Sequence, residues 1–336
     1  MSAAGTDLLH RAHEHRRELL GYCYRYLGSA SEAEDAVQET LTRAWSKADT
    51  FREEAALRTW LYRVAVNVCA DMSKAPQRRA LPMDLRAAGS VGSTAPDLGD
   101  PLPLEAWVRP MPDDRMLASS ADPAEVAAQR DTVRLAFVAA LQHLPARQRA
   151  VLILRDVLAF SAQETGEMLD ISVDAVTSAL ARARATMRAR EGDVPAYPGD
   201  AVEHEVLEAY VAAFEAYDVE GLVRLLADDA TFSMPPLTFW LQGVEQIERW
   251  WRGPGDVCRD SRILVSRLNA RPAVACYHLV APDRWEPFAV HVLEVSTTGI
   301  SDITHYLDAG VFELLGMPAE IHREPTDQFR QPMSSK

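Results

Sequence analysis

Four arginines and no acid lie between Arg182 and Arg190. Guanidinium groups at that density suit a polyanion. The stretch from Ser161 to Arg190, SAQETGEMLDISVDAVTSALARARATMRAR, supplies a frame for them. Ser161 and Glu164 have the spacing of a capping box, which predicts a helix ending near Asp170. Gly166 is the small residue that two closely approaching helices need. Ile171 and Ser172 make the turn, and Ser172 caps a second helix whose first turn carries Asp174 against the dipole. Val173, Val176 and Leu180 fall at i, i+3 and i+7 and are expected to pack on the first helix. Thr177, Ser178, Ala181, Arg182 and Arg184 remain outside. A second helix with a polar and basic outer face is what reading a major groove requires. The same residues also fit a plain helical hairpin with a solvated basic face, because arginines near a helix C-terminus complement its dipole.

A second group of residues has acid–base types: His291, Asp302 and His305, with the aromatic residues Trp240, Trp250, Trp251 and Tyr277 in the same part of the chain. Asp302 and His305 lie three apart in an expected strand, so they point to opposite faces and make a poor dyad. Buried core histidines and core aromatics are the plainer reading, and catalysis is not expected. No cofactor and no metal are implied: the chain has no phosphate loop, no glycine-rich dinucleotide turn and no metal-ligand spacing.

The elements that must position these residues follow from periodicity and breakers. Leu8 to Leu27 reads as a helix stopped by Gly28. Ser31 and Glu34 form a second capping box, opening a helix that runs to about Lys47. A third helix covers about Ala55 to Ser73 and is closed by Pro76. Residues 80–122 carry six prolines and three glycines, which predicts an extended, mobile, acidic linker; Trp107 within it either docks or is incidental. Helices return from about Pro123 to His143 and after Pro145. Residues 191–200 read as a second linker, and 326–336 as a flexible tail. Between them, residues 201–325 change character. Two helices (about Val202–Tyr217 and Val219–Leu226) precede a strand at Ala230–Met234 and a helix at Gly243–Arg252. Four β-rich stretches then follow, Ile263–Asn269, Val274–Ala281, Phe288–Val295 and Ile300–Leu307. That order predicts an α+β domain with an antiparallel sheet.

Composition sets the outer bounds. The 336 residues are 48% hydrophobic and 25% charged, with net charge −14. That is globular composition, enough for two or three domains. No apolar run reaches the ~18 residues of a membrane span, and no apolar signal region follows the N-terminus. Cys23, Cys69, Cys258 and Cys276 form no C-x-x-C pair, so a reduced, cytoplasmic protein is expected. The negative charge is uneven. Residues 191–336 hold 11 basic against 24 acidic side chains, whereas residues 127–190 hold 9 against 6.

Residues 33–45, AEDAVQETLTRAW, and 51–69, FREEAALRTWLYRVAVNVC, resemble region 2 of the extracytoplasmic-function sigma factors of the sigma-70 family. Residues 144–155, LPARQRAVLILR, and the hairpin after them resemble region 4 of the same family. The resemblance implies two all-α domains, over 1–79 and 123–190. It implies that Glu34, Asp35, Gln38 and Glu39 would bind the clamp helices of the largest subunit of core RNA polymerase. Arg58, Trp60, Tyr62, Arg63 and Asn67 would hold the −10 element as it melts, with Trp60 alternatively a core residue. The helix from Ser172 would enter the major groove of the −35 element through Thr177, Ser178, Ala181, Arg182 and Arg184. Many family members carry arginines on both sides of the serine at Ser178. Here those positions are Thr177 and Ala179, so the −35 contact is expected to be weaker or to read another sequence.

Val202 to Leu315, with MPP at Met234–Pro236, resembles the SnoaL-like (nuclear-transport-factor-like) fold. That resemblance implies a cone-shaped α+β domain with an apolar cavity, for which Trp240, Tyr277, His291 and His305 are the candidate lining. In sigma factors so extended the addition would modulate activity in cis, through intramolecular contact with the sigma domains. Two other readings compete: a helix-turn-helix regulator with a ligand sensor, and a SnoaL-like enzyme with a DNA-binding appendage. The first has no use for the polymerase-binding and melting segments at residues 33–67, and the second would need a convincing acid–base pair in the cavity, which the sequence does not offer.

Overall fold

The computed structural model describes residues 10–47, 51, 57–73, 79–92, 96–116, 130–189 and 197–322. The expected helix start near Pro123, the second linker's residues 191–196 and the tail at 326–336 lie outside them. The chain divides into two compact units. The first comprises 1–85, 102–194 and the tripeptide Leu268–Ala270; the second comprises 86–101, 195–267 and 271–336.

The first unit is helical. Helix α1 (Arg16–Leu27) is buried all round from Leu19 onward and ends at Gly28, whose φ of 72° is open to glycine at little cost. Helix α2 (Ala30–Ser46) and helix α3 (Leu57–Met72) pack beside it. The capping box expected at Ser31 and Glu34 does not form. Ser29 is the N-cap, and the Glu34 carboxylate instead pairs with Arg16 and Arg115. The described residues of the expected mobile linker, 80–92 and 96–116, are ordered and divided between the units. Trp107 is 2% exposed, and its strand partner Ala80 exchanges backbone hydrogen bonds with residues 106 and 108. Residues 86–91 belong to the second unit, where Gly89 N–H donates to Trp240 O at 2.8 Å and Val91 joins the core. Burying Trp107 and Val91 outweighs the disorder that proline and glycine favour.

Longer helices follow in the first unit: α4 (Leu135–Gln142), α5 (Ala146–Leu152), α6 (Ala162–Leu169) and α7 (Val173–Arg188). The expected longer helix before His143 is interrupted at Thr132–Arg134. Helix α5 continues into a π-helical turn at Ile153–Val157. The capping box at Ser161 and Glu164 forms, and Ser172 caps α7 by accepting from Ala175 N–H at 3.2 Å. Between α6 and α7, a β-carbon at Gly166 would stand 2.7 Å from Ile171 O.

The second unit is α+β. Helices α8 (Asp200–Glu215) and α9 (Val219–Arg224) lead into strands β1 (Leu226–Ser233) and β2 (Trp240–Gln242), helix α10 (Val244–Arg252), and strands β3 (Arg262–Leu268), β4 (Arg271–Ala281), β5 (Arg284–Ser296) and β6 (Gly299–Tyr306). Helix α11 (Ala309–Leu314) and β7 (Ile321–His322) follow. The sheet order is β2-β1-β6-β5-β4-β3, with β7 added to β5. It is not wholly antiparallel as expected, because β1 and β6 run parallel. Tyr210 and Phe214 of α8 and Trp250 and Trp251 of α10 fill the core with Phe232, Cys276 and Leu293.

The tight α6–α7 turn gives a direct test. Gly166→Ala should destabilise the first unit by about 1–3 kcal/mol, because the added methyl meets backbone rather than a movable side chain. Denaturant unfolding checks this, and an unchanged midpoint would refute the close approach.

Candidate nucleic-acid interface

The spacing of α7 decides which side chains are available. Val176, Ala179, Leu180, Ala183 and Met187 are buried; Thr177, Ser178, Ala181, Arg182 and Arg184 are exposed. Two expectations change. Val173, the first residue of the helix, is 47% exposed rather than buried against α6. Ala179 lies beneath the helix, so no side chain at that position shares the exposed face. Arg184 is exposed but committed: its Nε and Nη2 donate to the Asp156 carboxylate at 2.8 and 2.7 Å, which raises its pKa further. Arg182 makes no ion pair among the described residues. The Ser172 hydroxyl is used in capping α7.

Helix α3 sorts its residues by the same rule. Trp60, Arg63 and Asn67 fall at i, i+3 and i+7 on the outer row; Trp60 is half-buried against Phe51, and Arg63 and Asn67 are exposed. Arg58 and Tyr62 lie on another row. The Arg58 guanidinium sits 4.3 Å from the Phe160 ring and pairs with Glu18 at 2.8 Å. Tyr62 is fully buried between Tyr22 and Phe160, with burial raising its hydroxyl pKa. Tyr62 therefore offers no exposed ring, contrary to its expected part.

On α2, Asp35, Gln38 and Glu39 are exposed, while Glu34 is half-buried in its pairs with Arg16 and Arg115. Glu39 also pairs with Arg43, at 2.6 Å. The sequence reading missed Trp45, which is 52% exposed. Ser31, Asp35, Gln38, Thr42 and Trp45 advance by alternate steps of four and three, the spacing of a seam that meets another helix. That repeat was legible in the sequence.

The four candidate lining residues of the second unit do not converge. His291 and His305 are cross-strand partners, with rings stacked 3.8 Å apart and 18° from parallel. Tyr210 Oη lies 3.0 Å from His291 Nδ1, and Phe214 and Phe232 pack edge-on to the pair. Tyr277 instead packs on Phe312 and donates to Pro318 O at 2.9 Å. Trp240 is half-buried and donates to Arg86 O at 2.8 Å. Trp250 packs on Phe232 and Phe239, and Trp251 is buried in the core. Asp302 faces Thr231 and Thr304, away from His305, as alternation along a strand requires. An open groove of about 340 Å³ between α8 and α9, lined by Ala212, Ala213, Ala216 and Gly221, contains neither imidazole. Among the described residues no cluster of three His, Cys, Asp or Glu side chains is placed to hold a metal ion, and no helix is long and apolar enough to cross a membrane.

These buried groups set a pH dependence. Burial depresses His305 to about 3 and pushes His291 well below the ordinary 6.5. Below pH 6.5 the unfolded chain takes up protons at both rings that the folded chain refuses, so stability falls as the solution is acidified. Burial raises the Asp302 carboxyl from 3.8 to about 6, which acts in the opposite sense between those values. Two imidazoles outweigh one carboxyl. The melting temperature should therefore fall from pH 7 to pH 4.5, and His305→Phe should flatten that slope; thermal melts across the range check both.

Comparison with known proteins gives these surfaces a context. The family model for sigma-70 region 2 matches residues 12–79, that for sigma-70 region 4 matches 134–187, and that for the SnoaL-like domain matches 207–296. The chain is 40% identical over 316 residues to the ECF RNA polymerase sigma factor SigG of Mycobacterium tuberculosis, spanning 90% of this chain and 82% of that one. It is 28% identical over 174 residues to the ECF RNA polymerase sigma factor SigW of Bacillus subtilis, spanning 51% and 82%. The crystal structure of the Mycobacterium tuberculosis extracytoplasmic function sigma factor SigJ shares the fold, with TM-score 0.59 and 20% identity over 90% of this chain and 97% of that one. A helical first unit carrying both sigma-70 regions in order, followed by a SnoaL-like α+β fold, makes this chain a member of the extracytoplasmic-function sigma factors of the sigma-70 family.

Proposed function

We propose that this chain binds bacterial core RNA polymerase in the cytoplasm, directs it to specific promoters, and is modulated in cis by its SnoaL-like part. The observation that carries the reading is the exposed face of α7, a capped second helix bearing Thr177, Ser178, Ala181 and Arg182 outward. Such a helix enters a major groove, here that of a −35 element. Arg184 acts as a positioning residue, held by Asp156. Helix α2 meets the clamp helices of the largest subunit along the row from Asp35 and Gln38 to Trp45, with the tryptophan as the apolar anchor. Trp60, Arg63 and Asn67 hold the −10 element, the ring stacking on a base and the polar groups reaching base or backbone.

Cis modulation is supported by one tripeptide. Leu268–Ala270, the turn between β3 and β4, belongs to the first unit. There the Asn269 amide donates to Tyr24 Oη at 2.7 Å and to Val133 O at 2.5 Å, and its oxygen accepts from Met111 N–H at 2.9 Å. Ala270 N–H adds a bond to Asp113 at 2.6 Å. In the same unit, Phe160 covers Arg58 and Tyr62. A turn that stabilises this arrangement opposes its opening on promoter DNA.

Full-length protein with core polymerase should initiate from a subset of genomic fragments on which core alone is silent. If it does not, yet binds specific DNA without polymerase, a ligand-sensing regulator is the better reading. Arg182→Ala should weaken −35 binding by about 1–3 kcal/mol, and Arg184→Ala by less, in titrations of promoter DNA with holoenzyme. Asn269→Gly removes the three side-chain bonds and tolerates the φ of 55°. It should raise initiation several-fold; equal initiation would remove the case for cis modulation. Deleting residues 200–336 is a poorer test, since it also strips Val91 of the core it packs in.

A further inference from the structure

Helix α7 presents two neighbouring rows of exposed side chains. One holds Val173, Thr177 and Ala181; the other holds Asp174, Ser178 and Arg182, each at i, i+4 and i+8. The first row is apolar in effect. Val173 is 47% exposed, and the Thr177 hydroxyl donates its proton to Val173 O at 3.0 Å. Thr177 therefore brings a methyl group but no donor to a partner. The row is about 12 Å long, which spans three to four base pairs at ~3.4 Å each. Arg184 is held by Asp156 and Ala179 is buried, which leaves Arg182 as the guanidinium of these rows.

Only thymine offers an apolar group in the major groove, its 5-methyl. We propose that this chain selects a −35 element mainly by packing thymine methyl groups against Val173, Thr177 and Ala181. Ser178 and Arg182 add the polar contacts to base edge or phosphate. Asp174 accepts only from a base amino group, and its charge disfavours any docking that brings a phosphate to the start of α7. The proposal rests on the sigma-factor reading above, and refines how that site tells one sequence from another. It accounts for a recognition helix that lacks an arginine at the exposed Thr177 position without leaving a bare face.

The test uses the full chain in holoenzyme. Promoters are first selected from a genomic fragment pool, and each −35 thymine is then replaced singly by deoxyuridine, which removes only the methyl. The expected result is a −35 element with at least two thymines within four base pairs, and a loss of about three- to fivefold in promoter affinity per critical methyl. Val173→Ala and Thr177→Ser should each abolish sensitivity to one of those replacements. Thr177→Ser keeps the backbone hydrogen bond, so its effect is not one of folding. Selected promoters without thymines there, indifference to deoxyuridine, or sensitivity that persists in both variants would overturn the proposal while leaving the sigma reading intact. Failure to initiate at any promoter would overturn both.

Discussion

Three buried guanidinium groups hold the first unit together, and the placement of its exposed helix faces depends on them. Arg25, in the middle of α1, donates to Gly21 O at 2.8 Å and to both oxygens of Thr132, just before α4. Arg149 of α5 reaches Tyr26 O at 2.6 Å and the carbonyls of Gln142 and Leu144. Arg79 pairs with Glu32 of α2 and donates to Trp107 O. Each joins segments distant in sequence, and each satisfies carbonyl groups that helix ends or turns leave without partners. Burial lowers Arg25 to about 10, so it still carries its charge at neutral pH. Removing the acceptors around such a group leaves an uncompensated charge, a cost of about 3–5 kcal/mol. Helices α1, α2 and α5 are therefore held in a specific arrangement rather than by apolar contact alone.

That arrangement separates display from storage. Along α3, one row (Trp60, Arg63, Asn67) is available while another (Arg58, Tyr62) is covered by Phe160. Along α7, Arg182 is available while Arg184 is tied to Asp156. In both cases side chains two positions apart differ in whether they are free. Side chains three or four apart on a helix share a face, whereas those two apart do not.

The second unit is built on a different economy. Its sheet packs aromatic residues of α8 and α10 against a stacked imidazole pair. Neutral rings suit that interior, because a charged one would lose its hydration without gaining a counter-ion. Tyr277, Trp240 and Asp302 point to other surroundings. The residues that the SnoaL-like resemblance would gather into one pocket are thus distributed by strand alternation and by the residues 86–91 packed beside β2.

Much of the first unit was legible without tertiary structure. The capping box at Ser161, the cap at Ser172, the small residue at Gly166 and the stop at Gly28 are local instructions, and local geometry carries them out. The α+β character of the C-terminal part was equally plain from its breakers and β-rich runs. The false capping box at Ser31 and Glu34 shows the limit: the same spacing yielded to a better partner, Arg16, supplied from another helix. Only packing could decide that Val173 faces solvent, that Tyr62 is buried, that Trp107 and Val91 order a proline-rich segment, and that Asn269 hydrogen-bonds to Tyr24 across 245 positions of sequence. The sequence by itself determined which segments are helices or strands and which chemical groups they carry. Tertiary structure decided which of those groups remain available, because a side chain's partners are chosen by proximity in space, and spacing along the chain limits proximity only within a turn or two.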